Sequence, residues 1–429
     1  MTAPPSQADL EALAERALAR LDGEGQATAW WERSADSAGG ALTYSDGVRV
    51  ELAVLGAGVV VTGDPTDDGL RSAAAAAARL PGPRWPPALP EPAPGRTHDG
   101  YDPAAAGLSP ERAAAAVAAL PPGSHWRSAA AKVAIVSTRG VRAYEQCSFA
   151  ELFLATAGSG GASTEPPGVT SGRPAYIGAA ATGPAGLDAG ALAADFLAMA
   201  GDGGGGSPVP AGEPPVVLGP WAVAMLLEIA AWQFSGAAAG RFTAALGKRL
   251  VAPAINLSDS PRFPGTLPRS YDAEGSPVQP LPLIQDGVAH RAVHDATTAA
   301  RESTVTTGHA TRPAGFGHPR PRNFVLVGGG AADVAELAAG IDDGLLIASL
   351  HRLGQDRLQA RGVRRITGGE LGPRAPDVAV QADLFDVLAA TDALTSRQWL
   401  VPAALMRSPR DTSAAVVPAL RARSGIHVT

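Results

Sequence analysis

The chain of 429 residues contains one cysteine, Cys147. An intrachain disulfide is therefore excluded, and so is a zinc or iron–sulfur site built on a cysteine cluster. Lysine is nearly missing: Lys132 and Lys248 are the exceptions in an otherwise arginine-based set of cations. Positive charge is not in excess either. Lys+Arg is 35 against Asp+Glu 41, a formal charge of −6, which argues against a surface made for nucleic acid or anionic membrane. Long apolar runs are also lacking. The most apolar stretch, residues 218–231, carries Glu228 and falls short of the ~20 residues that span a bilayer. Residues 1–9 lack a basic start followed by an apolar run, so the cytoplasm is the expected compartment.

Apolar residues make up 45% and charged residues 18%, enough for a core and unlike a disordered chain. Gly 51 and Pro 38, without a G-X-Y period, predict long loops rather than collagen. Arginine for lysine, with Ala-rich helices, points to a GC-rich bacterial genome. The length suggests two to three domains, at about 150 residues each.

Ser6 and Asp9 read as a capping box that opens a helix with Leu10, Leu13, Ala14, Ala17 and Leu18 on one face. Strands are predicted over residues 26–32 and 48–61, with a turn or bulge at Gly56 and Gly58. Helices follow over 68–80 and 109–120, the second capped by Ser109-Pro110. Residues 80–95 are broken by prolines and predict an extended surface loop. A strand is predicted over 132–138, and residues 156–175 are rich in Gly, Ser, Thr and Pro. Residues 201–215, with glycines from Gly203 to Gly206, predict an exposed linker. The domains are accordingly 1–200 and 216–429. Beyond the linker come a strand at 216–218, an apolar helix at about 221–234, a strand at 323–327 and a helix at 332–339.

The turn Gly328-Gly329-Gly330 lacks both the dinucleotide fingerprint and the Lys-Ser/Thr of a P-loop. Asp333 would oppose a phosphate there and reads as an N-cap. His290 and His294 are four apart, but Asp286-Gly287 looks like a turn into a strand. Four residues of strand span roughly 13 Å, too far for one metal. His309 and His318 fall in a Gly/Pro-rich loop. There is no G-x-S-x-G elbow, and Cys147 reads as a small buried apolar residue.

The most informative stretch opens the second half: Pro220-Trp-Ala-Val-Ala-Met-Leu-Leu-Glu-Ile-Ala-Ala-Trp-Gln-Phe-Ser-Gly236. In order follow Arg241 to Lys248, Leu257-Ser-Asp-Ser-Pro261, Tyr271-Asp-Ala-Glu-Gly275 and Leu283-Ile-Gln-Asp-Gly287. Then come Thr307-Gly-His309, Pro319-Arg-Pro-Arg-Asn323, Gly328 to Gly330 and Ile341-Asp-Asp-Gly-Leu-Leu-Ile347. This ordered set resembles the TldD/PmbA (TldD/TldE) family of metallopeptidase subunits, and Ile135-Val-Ser-Thr-Arg-Gly140 is compatible with it.

The resemblance implies an α+β fold: an N-terminal helix-and-sheet domain and a C-terminal domain built on extensive antiparallel sheet. It also implies a pair of subunits. The TldD-like one carries zinc on a His-Glu-x-x-x-His helix, with a further ligand late in the chain, a cysteine in well-known members. Here Leu227 and Trp232 occupy the two histidine places around Glu228, and no cysteine follows Cys147. Neither Leu nor Trp offers zinc a lone pair. The expectation is a non-catalytic, TldE-like subunit that holds no cofactor of its own. Its partner would be a TldD-like subunit that brings the zinc. The substrate would be a peptide or peptide-like natural product, with no nucleic acid and no membrane involved.

The candidate substrate-binding residues are His309, Arg312, His318, Arg320, Arg322 and Asn323, which could also be plain loop and interface residues. Met225, Leu226, Ile229, Trp232 and Gln233 predict a helix buried in a core or against a partner, with Glu228 needing an arginine beside it. Two rival readings are a self-sufficient hydrolase rebuilt around His290, His294, His309 and His318, and a scaffold without hydrolytic activity.

Overall fold

The computed structural model describes residues 3–37, 41–155, 176–201, 205–354, 357–402 and 408–429. The chain opens with helix α1 (Gln7–Leu18), and the Ser6–Asp9 capping box is present. Strands β1 (Gly25–Asp36), β2 (Thr43–Val54) and β3 (Val59–Thr62) follow, with Gly56 at φ 78° in the turn between the last two. Next come α2 (Asp67–Ala77), the one-turn α3 (Pro103–Ala106) and α4 (Pro110–Ala118). Strands β4 (His125–Ser137), β5 (Arg142–Ala155) and β6 (Tyr176–Ala181) and helix α5 (Ala189–Ala200) complete the first half. The Gly/Ser/Thr/Pro-rich stretch at 156–175 lies outside the described residues.

The six strands form one antiparallel sheet in the order β3-β2-β1-β4-β5-β6. Its strands are buried on both faces because alternate residues serve different neighbours. Trp31, Ala29, Val50 and Ala134 pack under α1 and α2 with Leu10, Leu13 and Leu70. Trp30, Val133, Ile135, Val141 and Cys147 face the other way, toward Tyr271 of the second half.

The second half carries strands β7 (Val216–Leu218), β8 (Leu257–Asp259), β9 (Leu281–Gln285), β10 (Val288–Ala289), β11 (Asn323–Leu326), β12 (Asp343–Arg352), β13 (Leu358–Thr367), β14 (Glu370–Arg374), β15 (Val378–Ala382), β16 (Thr391–Pro402), β17 (Ala414–Ala422) and β18 (Ile426–Val428). All twelve join one sheet along the order β10-β9-β8-β11-β17-β7-β12-β13-β15-β18. Strand β14 adds to β13 and β16 to β17. The pairs β11–β17 and β12–β7 are parallel and the others antiparallel. The fold is α+β, with its larger sheet mainly antiparallel.

Helices α6 (Pro220–Ala230), α7 (Arg241–Ala244), α8 (Ala296–Arg301), α9 (Val334–Ala339) and α10 (Leu384–Ala389) decorate this sheet. Asp333 caps α9 by accepting from Glu336 N, as its place before the helix predicts. Gly219 precedes α6 because a Cβ there would stand 2.6 Å from Ala348 O. The apolar helix predicted to about residue 234 ends as α at Ala230, and a 3₁₀ turn continues it through residues 231–234. Phe234 then packs edge-on against Phe242, Phe324 and Phe385, with ring centroids 4.8, 5.6 and 5.7 Å away.

Residues 81–99 have no regular structure but are tied down across the molecule. Ala88 N donates to Thr297 Oγ1 (3.2 Å) and Gly95 N to Tyr271 Oη (3.0 Å). Arg262 holds the carbonyls of Arg96 and Thr97 at 3.0 and 2.8 Å. The expected surface loop is thus a strap from the first half onto the second. In the predicted linker, Gly206 N donates to Arg374 O (2.9 Å), and Gly212 exchanges two bonds with Val428 at 3.2 and 2.8 Å. No helix among the described residues is long and apolar enough to cross a membrane.

Candidate functional site

Helix α6 buries Trp221, Ala222, Val223, Leu226, Leu227 and Ala230. Leu227 is 0% exposed. One face escapes this packing. Glu228 is half-buried, and Trp232, four residues on, is 56% exposed. The expectation was burial in a core or against a partner: the core takes Leu226 and Leu227, while Trp232 lies outside it. Residues at i and i+4 share a helix face, so Trp232 follows Glu228 to the surface rather than Leu227 to the core.

Glu228 does meet an arginine: its Oε1 lies 3.6 Å from Arg320 Nη1. Arg320 Nη2 reaches Asp411 Oδ1 at 3.7 Å, and Arg322 Nη1 reaches the same oxygen at 3.2 Å. A relay of alternating charge thus runs Glu228–Arg320–Asp411–Arg322. Burial pushes the Glu228 carboxyl above its ordinary range, with Arg320 pulling against that shift. Burial acts on Asp411 too, but Arg322, Arg320 and Arg269 outweigh it and hold that carboxyl below its ordinary range.

The relay ends in the interior. Arg322 is buried, and its Nη1 and Nη2 donate to Arg410 O and Ala310 O, both at 3.0 Å. Asp259 Oδ2 accepts from the N–H groups of Arg322 and Asn323. His309 is 1% exposed, with Nε2 3.6 Å from Asp259 Oδ2. Its Nδ1 donates to Thr307 O at 2.8 Å. Burial would raise Asp259, yet His309 and the two N–H groups hold it below its ordinary range. Asn323 Oδ1 accepts from Leu267 N at 3.3 Å.

The six candidate residues therefore fall into two groups. His309, Arg322 and Asn323 are buried and occupied by this chain's own groups, while Arg320 is about one-third exposed at the surface end of the relay. Arg312 and His318 are exposed, and His318 sets its ring edge-on to Trp85, centroids 6.2 Å apart. Arg301 lies over the same indole at 4.2 Å and donates to Gly236 O at 3.2 Å, just beyond Trp232 in sequence.

The four histidines of the rival reading do not converge. His290 is exposed at the end of β10, His294 packs against Gly236, His309 is buried on Asp259, and His318 is on Trp85. Among the described residues no group of three or more His, Cys, Asp or Glu could hold a metal ion. Leu227 on α6 and Trp232 in the 3₁₀ turn after it put an alkyl chain and an indole at the two motif positions around Glu228, so the donor chemistry does not fit zinc.

Sequence reasoning gave no role to Asp411, in a segment it did not single out, or to Asp259, which it quoted within residues 257–261 only for the resemblance. It also missed the frontier between the halves. There Arg269 Nε donates to Glu145 Oε1 at 2.9 Å, with His98 Nε2 3.7 Å from Glu145 Oε2. Burial would raise Glu145, but Arg269, His98 and Ser270 N–H hold it at about 2. Asp272 and Glu274 are buried close together. Burial pushes Asp272 up to about 6 and Glu274 well above its ordinary range, the Asp272 and Asp295 charges adding to the second shift. Cys147 is buried as expected, its thiol pushed up to about 12.

A family model described as the PmbA/TldA metallopeptidase C-terminal domain matches residues 211–428. No curated protein matches the chain. Among solved structures, TldE from Thermococcus kodakarensis has a TM-score of 0.75 at 18% identity, covering 98% of this chain and 99% of that one. A protein of Thermotoga maritima described as a candidate modulator of a DNA gyrase has a TM-score of 0.69 at 18% identity, with 98% of each chain covered. A Bacteroides thetaiotaomicron protein of the same description has a TM-score of 0.69 at 15% identity, again with 98% of each covered. At these identities the likeness is one of fold.

Proposed function

This chain belongs to the PmbA/TldA metallopeptidase family, and from that membership we propose that it is the non-catalytic, TldE-like subunit of a two-subunit zinc metallopeptidase. The observation that carries the reading is the α6 face. Leu227 is locked in the core, Trp232 is turned outward, and Glu228 is engaged by Arg320 at 3.6 Å. A glutamate acts as a base in such enzymes by taking a proton from metal-bound water. Here the carboxylate faces a guanidinium, and its neighbours at the motif positions cannot ligate. Zinc and the working glutamate would come from a TldD-like partner.

This chain's part is to close the cavity and hold an extended peptide or peptide-like substrate. Arg320, Arg312 and His318 would touch it, since guanidinium groups suit carboxylates and carbonyls. His309, Arg322 and Asn323 fix the loop that presents them. The cytoplasm of a bacterium, and a role in maturing or degrading modified peptides, belong to the same reading.

The test is co-expression with a TldD-like partner. A 1:1 complex should form, peptidase activity should require both chains, and this chain alone should bind no stoichiometric zinc. Glu228→Gln should leave the turnover of the complex nearly unchanged. A loss of several orders of magnitude in that variant, with assembly intact, would sink the reading. Tightly held metal on His290, His294, His309 or His318 of the isolated chain would do the same.

A further inference from the structure

Strands β9 and β10 form a hairpin through Asp286 and Gly287, both at positive φ (48° and 75°). Their pairing runs through Gln285–Val288 and Ile284–Ala289, with a last bond from His290 N to Leu283 O at 2.8 Å. Beyond His290 the two segments part. Val293 N turns to Phe234 O, and Gly236 N returns to Val293 O, both at 2.9 Å. Pro280 and Pro282 have no N–H with which to extend a ladder. The parting opens a cleft of ≈ 310 Å³ between Gln279–Leu281 and Arg291–Ala292, closed on one side by Thr304–Thr307. That volume is at the small end of the range of about 300–1,000 Å³ for ligand sites.

The walls of the cleft are firm. Thr307 N donates to His294 O (3.0 Å), while His294 N donates to Thr307 Oγ1 (2.7 Å). Thr306 Oγ1 also bonds His294 O at 3.3 Å. Those hydroxyls are committed to the wall, whereas Arg291 is exposed and makes no ion pair among the described residues. Val305 is 73% exposed, an apolar side chain left at the rim with Leu281 and Pro277 inside. Burial holds His294 below the ordinary histidine range, so at neutral pH the cleft presents one positive charge, that of Arg291. A carboxylate monoanion matches the single charge of one guanidinium, whereas a phosphate dianion would leave a charge uncompensated.

We propose that this cleft binds the C-terminal end of a short peptide. The terminal carboxylate sits on Arg291, the last amide is met by Gln279 and Thr304, and an apolar terminal side chain covers Val305 and Leu281. The choice of a peptide rests on the proposed function; the site and its test belong to this chain alone.

The test titrates the purified full chain with N-acetyl-Ala-Val as free acid, with the same dipeptide as its C-terminal amide, and with acetate, following backbone amide shifts by NMR. The free acid should bind at least tenfold tighter than either comparison ligand, with shifts at Gln279, Leu281 and residues 291–294. Arg291→Gln should remove that preference. Val305→Asp, at an exposed position, should weaken both ligands and the acid more, because the apolar contact is lost for both and the new carboxylate repels only the acid. Equal binding of acid and amide, acetate as tight as the dipeptide, an unchanged preference in R291Q, or no detectable binding at millimolar acid would each overturn the proposal. Failure of the two-subunit activity with an intact acid preference would overturn the proposed function and leave the cleft standing.

Discussion

At Glu151, on β5 between β4 and β6, the first sheet holds a carboxyl out of water. Burial is the main influence and pushes it up to about 8, with Arg127 opposing and Asp36 reinforcing the shift. The sign follows from linkage. The folded state holds a proton that the unfolded chain, near 4.5, has released. This contribution to stability is therefore complete below pH 4.5, falls as pH rises, and is gone above about 8. Glu151→Gln keeps the shape and cannot ionise. Thermal unfolding should show the variant close to wild type at pH 5 and several degrees more stable at pH 9. An equal difference at both pH values would refute the buried, proton-holding state. Glu145 shows how the same sheet shifts a carboxyl the other way when an arginine supplies the counter-charge. At this scale the sequence was partly legible. It called for an arginine beside Glu228 and an apolar setting for Cys147, because charge and size are properties of single residues. Which arginine answers was not legible, since Arg320 is brought to α6 by the loop before β11.

On the scale of an element, α6 and the 3₁₀ turn that continues it divide two roles between them. Leu227 is wholly enclosed, so Leu227→Ala should cost the isolated chain about 2–5 kcal/mol. Trp232 is more than half exposed, so Trp232→Ala should cost it about 1 kcal/mol or less. In the proposed complex the order reverses, because buried tryptophans are frequent anchors of interfaces. Trp232→Ala should then weaken assembly by about 2 kcal/mol or more. Denaturant unfolding of the single chain and the affinity of the pair measure the two sides. A large loss of chain stability on removing Trp232, with unchanged affinity, would return that residue to the core. Elements with local signatures were readable from the sequence. The capping box of α1, the Asp333 cap of α9 and the Asp286–Gly287 turn each depend on neighbours within four residues. The strands β8 and β18 have three residues each, too few to display a period, and β7, foreseen at 216–218, shows nothing of its partners, which lie up to about two hundred residues away. The order of the larger sheet was illegible for that reason, and with it the cleft where β9 and β10 part.

Over the whole molecule, the two halves share a frontier of charge rather than a seam of oil alone. Arg410 lies 4.0 Å over the Trp30 ring and donates to Glu51 at 3.0 Å. Ser408 Oγ donates to Glu32 Oε2 at 2.8 Å, and Cys147 Sγ meets Pro409 O at 3.4 Å. The turn at Gly275 presses into Val141 and Ile135, where a Cβ would stand 2.6 and 3.3 Å from their methyl carbons, and its φ of 77° suits glycine. On the opposite route, Asp195 of α5 accepts from Arg397 and from Trp399 Nε1, the latter at 2.9 Å. A fragment ending at residue 200 would expose Trp30, Val133 and Ile135 together with a Glu145 that has lost Arg269. Expressed alone, it should lack a cooperative thermal transition, whereas a sharp calorimetric peak would show that residues 1–200 fold independently.

The segment around Pro409 therefore acts on the timing of biosynthesis. A ribosome makes Ser408 to Asp411 hundreds of residues after the first sheet, so Glu32 and Glu51 wait while the second half is synthesised for the groups that neutralise or bond them. Their contacts span 376 and 359 residues. Closure of such distant contacts is slow because chain entropy is lost before the contact is gained. The newborn chain must pass through a long-lived state with one face of its first sheet uncovered, and that interval is when a chaperone would have most to hold.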